Sequence, residues 1–158
     1  MKASFKNIAV AIAIPLLVGG ISSLISSGAM TAFAGMNKPP LSPPGWLFPV
    51  AWTALYVCMG LASFFIFMNG REETRRTRRT ALVLYAGQLV LNFIWSPIFF
   101  NAGLYYPALA VLIVLWLLVA ALFFLSAHLD KRASVLLVPY LLWLSFAGYL
   151  NAMIPLLN

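Results

Sequence analysis

The stretch Gly87-Gln88-Leu89-Val90-Leu91-Asn92-Phe93-Ile94-Trp95-Ser96-Pro97-Ile98-Phe99-Phe100 lies inside a run, residues 80 to 129, that holds no Asp, Glu, Lys or Arg. A helix needs about 20 apolar residues to cross the hydrocarbon core of a bilayer. This run is long enough for two such helices. Gly103 and Pro107 punctuate it near the middle, and Tyr105 and Tyr106 suit the membrane interface at that break. The first of the two helices nevertheless keeps two amides. Gln88, Asn92 four residues on and Trp95 three further share one helical face. Uncharged amides in a membrane-length segment cost free energy unless they meet a partner, so this face marks a candidate functional site.

The rest of the chain repeats the pattern. Residues 7 to 37, 39 to 70 and 133 to 158 are also free of charge, and the 158-residue chain is 63% hydrophobic and only 8% charged, far from a soluble composition. The expected fold is an all-α membrane protein, a bundle of five transmembrane helices near 7 to 27, 45 to 69, 80 to 101, 105 to 127 and 133 to 157, forming one domain over 1 to 158. The first connection, 28 to 44, holds Pro39, Pro40, Pro43 and Pro44, which keep it extended. It reads as a lid over the bundle or as a rigid connector. Pro49 falls near the first turn of the second helix, where its missing N–H matters least. Pro15, Pro97 and Pro139 lie deeper and predict kinks. Lys2 and Lys6 before an apolar run mimic a secretion signal, but the length of the run and the spacing of Gly19, Ser23 and Ser27 predict a retained first helix with a small-residue packing face.

Charge sets the orientation. Five spans place Lys2, Lys6, Arg71, Arg75, Arg76, Arg78, Arg79, Lys131 and Arg132 on one side and only Lys38 on the other. The positive-inside rule makes the basic side cytoplasmic, with the first loop and the C-terminus opposite. The arginine cluster is thereby explained by topology, with contact to membrane lipids compatible, and nucleic acid is not expected as a partner. Cys58 is the single cysteine and reads as a buried apolar thiol.

Three faces are candidates for a ligand cavity. Phe48 and Trp52 are four apart on the second helix; Gln88, Asn92 and Trp95 share a face on the third; Trp143, Ala147 and Leu150 fall at i, i+4 and i+7 on the fifth. Their convergence would frame an apolar cavity with indole walls and a few amides, suited to a flat ligand with polar edges. The competing reading is structural: tryptophans as interface anchors or core, and amides as glue between helices. Trp46 and Trp116 are assigned to that second reading. No acidic or basic residue is expected inside a span, which argues against a proton- or ion-coupled pump. His128 stands beside Asp130 without an evident nucleophile, so hydrolysis lacks its parts, and no metal-ligand cluster is present.

The run Asn37-Lys38-Pro39-Pro40-Leu41-Ser42-Pro43-Pro44-Gly45-Trp46-Leu47-Phe48-Pro49-Val50-Ala51-Trp52-Thr53-Ala54-Leu55-Tyr56 resembles the first loop and second helix of the TspO/MBR family, the tryptophan-rich sensory proteins related to the mitochondrial translocator protein (peripheral benzodiazepine receptor). Tyr85 to Phe100 is similar to that family's third helix, and Pro139-Tyr140-Leu141 through Trp143, Phe146-Ala147 and Leu150-Asn151 to its fifth. The resemblance implies a five-helix bundle, often a homodimer, whose pocket opens toward the first loop. It implies porphyrin ligands such as protoporphyrin IX or haem-like tetrapyrroles, with no required cofactor. By matching position Trp52, Asn92, Trp95, Trp143, Ala147 and Leu150 would line the pocket; Phe48 and Gln88 are added from their faces. Some departures stand out: Ala32-Phe33 keeps one ring of an aromatic pair, Leu41 replaces a tryptophan, and Pro107 replaces another found in animal members. No Lys or Arg follows Tyr149, so sterol recognition by the C-terminal motif is not supported.

Three functions follow from this reading. The first is an integral membrane protein, placed in a bacterial inner membrane, that binds a tetrapyrrole for transport or sensing. The second is light-dependent porphyrin breakdown in the same pocket, with Trp52 and Trp143 taking part. The third is an accessory membrane subunit without a small-molecule site.

Overall fold

Apolar residues without charge for a membrane's thickness can only satisfy their backbone polar groups internally, and here they do so as helices. The computed structural model describes residues 5–69 and 71–158, apart from the side chains of residues 30–34. Five helices long and apolar enough to cross a membrane follow one another: α1 (Phe5–Ala34), α2 (Leu47–Met68), α3 (Arg75–Ser96), α4 (Tyr105–Leu129) and α5 (Lys131–Leu157). No strand occurs among the described residues. At about 1.5 Å per residue, the 22 residues of α2 span about 33 Å, the thickness of the hydrocarbon core. The chain is an integral membrane protein.

The helices pack in the ring order α1, α2, α5, α4, α3, with α3 closing back on α1. Glycine lets α1 and α2 approach closely. A Cβ on Gly60 would lie 2.6 Å from Ile12 Cα and 2.7 Å from the Ala11 carbonyl oxygen. Pro15 lies inside α1 and has no N–H to give that carbonyl its usual helical bond, so the freed oxygen lies against a backbone with no side chain.

Several boundaries differ from those expected. α1 continues to Ala34, so the first connection is 35–46 rather than 28–44. Residues 28 to 34 contain no proline and several helix formers, and one glycine costs a helix only about 1 kcal/mol. The helix takes in Ala32 and Phe33, whose side chains lie outside the described ones, as do Met1 and Lys2. α3 begins at Arg75 rather than at the end of the charges, because arginine is a good helix former outside the bilayer. The small-residue face of α1 is also rotated. Gly19, Ser22 and Ser26 are buried, whereas Ser23 and Ser27 are exposed, since positions i, i+3 and i+7 follow a helical stripe better than successive steps of four. Cys58 is only half-buried.

At Pro97 the third helix changes into a π turn, Pro97–Asn101, closed by Ala102 N–H donating to the Pro97 carbonyl at 3.0 Å. Proline removes the donor that the Phe93 carbonyl would receive four residues earlier. The Ser22 hydroxyl of α1 supplies it instead, at 2.8 Å. Nearby, the Ser96 hydroxyl donates to Ser26 Oγ at 3.2 Å.

Residues 35–46 are tied to α5. Tyr149 Oη donates to the Pro40 carbonyl at 3.0 Å. Asn37 N–H donates to Asn158 Oδ1, and Asn158 Nδ2 returns a bond to the Asn37 carbonyl, each at 3.0 Å. The tie at Pro40 falls in the turn Pro39-Pro40-Leu41-Ser42, in which Ser42 N–H reaches the Pro39 carbonyl and Leu41 takes φ +71°. Glycine is the usual residue at that position.

Candidate functional site

Where α2, α3 and α5 meet, the amides of α3 find tyrosines. Gln88 and Asn92 are 1% and 4% exposed, deep enough that an unmet polar group would cost several kcal/mol. Tyr56 Oη of α2 donates to Asn92 Oδ1 at 3.0 Å. Asn92 Nδ2 donates to Tyr140 Oη of α5 at 2.7 Å, and Tyr140 Oη donates to Gln88 Oε1 at 3.0 Å. Gln88 Nε2 ends the chain on Met59 Sδ at 3.8 Å. Three helices are thus joined by neutral hydrogen bonds running in one direction. Both amides hold helices together in this arrangement, Asn92 as fully as Gln88.

An aromatic ladder climbs from this cluster to the first loop. Trp52 stacks on Tyr56 with ring centroids 5.5 Å apart and meets Tyr140 edge-on at 6.4 Å. Trp143 stands edge-on to Trp52 at 6.2 Å and to Phe48 at 6.0 Å. Phe146 follows at 5.8 Å from Trp143 and Tyr149 at 6.4 Å from Phe146, where the hydroxyl holds Pro40. Spacing explains the alignment, because Phe48, Trp52 and Tyr56 recur every four residues on α2, and Tyr140, Trp143 and Ala147 follow one stripe of α5. Ala147, one turn beyond Trp143, is buried, and Leu150, two turns beyond, is half-buried.

The structure therefore brings Phe48, Trp52 and Trp143 into ring contact and joins them to Gln88 and Asn92 through Tyr56 and Tyr140. Trp95 belongs to a neighbouring group. Its ring stacks on Phe99 at 5.1 Å and meets Phe100 at 6.0 Å, and its Nε1–H donates to Asn151 Oδ1 at 3.2 Å. Asn151 Nδ2 in turn donates to the Tyr105 carbonyl at 2.8 Å. Trp46 is 67% exposed at the end of the first connection. Trp116 is exposed on α4 and donates to Ser145 Oγ at 2.9 Å. It borders an apolar groove of about 270 Å³ between α4 and α5, away from the amides. His128 is exposed and its Nδ1 lies 2.8 Å from the Phe124 carbonyl oxygen, a contact within its own helix.

The residues missed from sequence are the tyrosines and Asn151. Tyr56 and Tyr140 lie on the same helical stripes as Trp52 and Trp143, which was the available signal. Among the described residues two buried polar side-chain atoms lack a hydrogen-bond partner, Tyr85 Oη and Trp143 Nε1. The Ser63 hydroxyl lies beside the first. The second is a donor buried within the aromatic ladder.

This architecture has relatives. The model of the TspO/MBR family matches residues 11–157. The chain is 43% identical over 119 residues to a tryptophan-rich sensory protein of Cereibacter sphaeroides, covering 75% of this chain and 72% of that one. It is 36% identical over 159 residues to the tryptophan-rich protein TspO of Chlorobaculum tepidum, covering 100% and 99%. It is 38% identical over 122 residues to the translocator protein of Bos taurus, covering 75% and 70%. With the family's model matched over nearly the whole chain and five apolar helices in place, this protein belongs to the TspO/MBR family.

Proposed function

We propose that the protein binds a porphyrin or a related flat tetrapyrrole between α2 and α5, in a transport or sensory role, with the first loop as the cover. The observation that carries this reading is the buried Trp143 Nε1–H without an acceptor. A donor held dry among aromatic rings is unfavourable unless something visits it, and a tetrapyrrole offers a broad π face together with polar edges. Trp52, Trp143 and Phe48 would form the stacking walls, with Ala147 and Leu150 leaving room beside them. Asn92, Gln88 and Trp95 would shape the floor through Tyr140 and Asn151, with Asn92 exchanging a tyrosine for the ligand where the ring reaches deepest. On this reading the basic end of the bundle faces the cytoplasm of a bacterial cell, and two such bundles pair in the membrane.

Protoporphyrin IX titrated into the purified full chain in detergent should quench tryptophan fluorescence saturably. Trp143→Phe keeps an aromatic ring and removes the donor. A lost neutral hydrogen bond of about 0.5–1.5 kcal/mol weakens binding roughly 2- to 12-fold. Unchanged affinity would remove Trp143 from the site.

The edge contact between Trp52 and Trp143 at 6.2 Å favours one second reading, in which an illuminated porphyrin held beside these indoles adds both atoms of one dioxygen across a methine bridge, whose C=C bond breaks to two carbonyls, while the indoles confine the radical intermediates. Illumination of the complex should then yield a ring-opened product. Bleaching at the rate of free porphyrin in detergent argues for binding alone.

A further inference from the structure

At the opposite end of the bundle, the connections α2–α3 and α4–α5 are joined into one rigid rim. Asn69 Nδ2 donates to the Leu129 carbonyl at 2.7 Å, and the Thr74 hydroxyl donates to Asn69 Oδ1 at 2.8 Å. Arg78 Nη1 donates to the Asn69 carbonyl. Against this rim lies a cleft of about 260 Å³. It is lined by the apolar Phe65, Met68 and Leu129 and by the polar Asn69, Arg71, Asp130 and Arg132. The cleft thus sets an apolar surface beside two guanidiniums and one carboxylate.

The two guanidiniums differ in commitment. Arg132 lies over the Phe65 ring, 4.2 Å from its centroid, and grips Asp130 through Nε at 3.1 Å and Nη2 at 2.8 Å, leaving Nη1. The side-chain hydrogen bond from Arg132 is the main reason the Asp130 carboxyl sits below its ordinary range, so it stays ionised and neutralises one cation only. The Arg71 side chain is exposed. Lys131 and Arg132 also stand in the first turn of α5, the positive end of its macrodipole, where cations are disfavoured and an anion is welcome. Asp130 caps that turn by accepting from Arg132 N–H at 2.9 Å, and the excess of basic residues around it remains.

We infer that this cleft is a binding site for the phosphate of an anionic phospholipid, with Arg71 and Arg132 Nη1 on the phosphate and Phe65, Met68 and Leu129 along the first methylenes. A phospholipid fits better than a soluble phosphate because three of the seven lining residues, Phe65, Met68 and Leu129, are apolar. Charge-assisted bonds from a guanidinium fork suit a phosphate's oxygens.

The full chain in mixed micelles of phosphatidylglycerol and phosphatidylcholine, examined by native mass spectrometry, tests this. Wild type should retain phosphatidylglycerol preferentially. A charge-assisted hydrogen bond from a guanidinium to the phosphate contributes ~1.5 kcal/mol, so Arg71→Gln should lower the preference about 12-fold, and Arg71→Gln with Arg132→Gln about 150-fold. Arg75→Gln with Arg76→Gln, outside the cleft, should leave it unchanged. Because Arg71 is exposed, its single variant keeps the fold and decides the matter if the double variant does not fold. An unaltered preference in Arg71→Gln, or an equal fall in the Arg75/Arg76 variant, overturns the site. Displacement of the lipid by inorganic phosphate overturns the choice of a lipid.

Discussion

A methyl group on Gly19 should disturb the candidate site from across the bundle. An ideal Cβ at Gly19 would lie 2.0 Å from Tyr56 Cε2, 2.4 Å from Cζ and 2.8 Å from Cδ2. Carbon atoms in contact stand about 3.5–4.0 Å apart, so Gly19→Ala requires the ring to withdraw by roughly 1.5 Å. The ring is held on both of its other sides, by Trp52 at 5.5 Å and by the hydroxyl's 3.0 Å bond to Asn92. A displacement of that size takes the bond past hydrogen-bonding distance. Overpacking costs about 1–3 kcal/mol, and an interhelical hydrogen bond in a membrane bundle contributes about 0.6 and at most about 1.7 kcal/mol. The expected loss is therefore about 2–4 kcal/mol in detergent unfolding, with weaker protoporphyrin IX binding because Trp52 moves with Tyr56. Gly20→Ala is the control, since nothing lies within 4 Å of a Cβ there, and it should cost nothing. In a Tyr56→Leu background Gly19→Ala should become cheaper by more than about 1 kcal/mol, as expected for residues in contact. A cost that is equal in both backgrounds, or below about 0.5 kcal/mol in wild type, would refute the argument.

Two further outcomes follow from the loop and from the third helix. Ser22→Ala should destabilise the bundle by about 0.6–1.7 kcal/mol, because the Phe93 carbonyl loses its substitute donor; in a Pro97→Ala background, where residue 97 regains an N–H, the cost should largely vanish in the same unfolding assay. Tyr149→Phe removes the hydroxyl that holds the Pro40 carbonyl, so stopped-flow quenching should show faster association and faster release of protoporphyrin IX, with the equilibrium affinity changed less than either rate.

The spans were legible because charge is expelled from hydrocarbon, and the gaps between charges measure the membrane. They do not measure the helices. α3 carries Arg75, Arg76, Arg78 and Arg79 within its first turns, and α1 runs on past Gly28, because a helix needs only backbone bonds to continue into water. The aromatic members of the site were legible too, since Phe48, Trp52 and Trp143 declare their faces by spacing. What spacing cannot carry is the ring order of the helices. Gln88 and Asn92 required partners, but nothing in their own helix names Tyr56 and Tyr140, which arrive only because α2, α3 and α5 converge. The same holds for Ser22, whose role depends on a proline in another helix.

On the proposed reading, the chemistry of these partners limits what the space between α2 and α5 can receive. Tyr56, Asn92, Tyr140 and Gln88 pass hydrogen bonds in one direction and end on a thioether, a weak acceptor. Neither α2 nor the length of α5 beyond Arg132 carries a Lys or Arg. A carboxylate carried into that space would lose its hydration without meeting a counter-charge, at a cost of several kcal/mol. On the proposed reading the macrocycle enters between Trp52 and Trp143 while its carboxylates stay at the mouth, beside the loop that carries Lys38. The hydrogen bonds that tie this loop to α5 through Tyr149 and Asn158 then lie where the charged edge of the ligand must pass, and they have to yield before the ring can enter or leave.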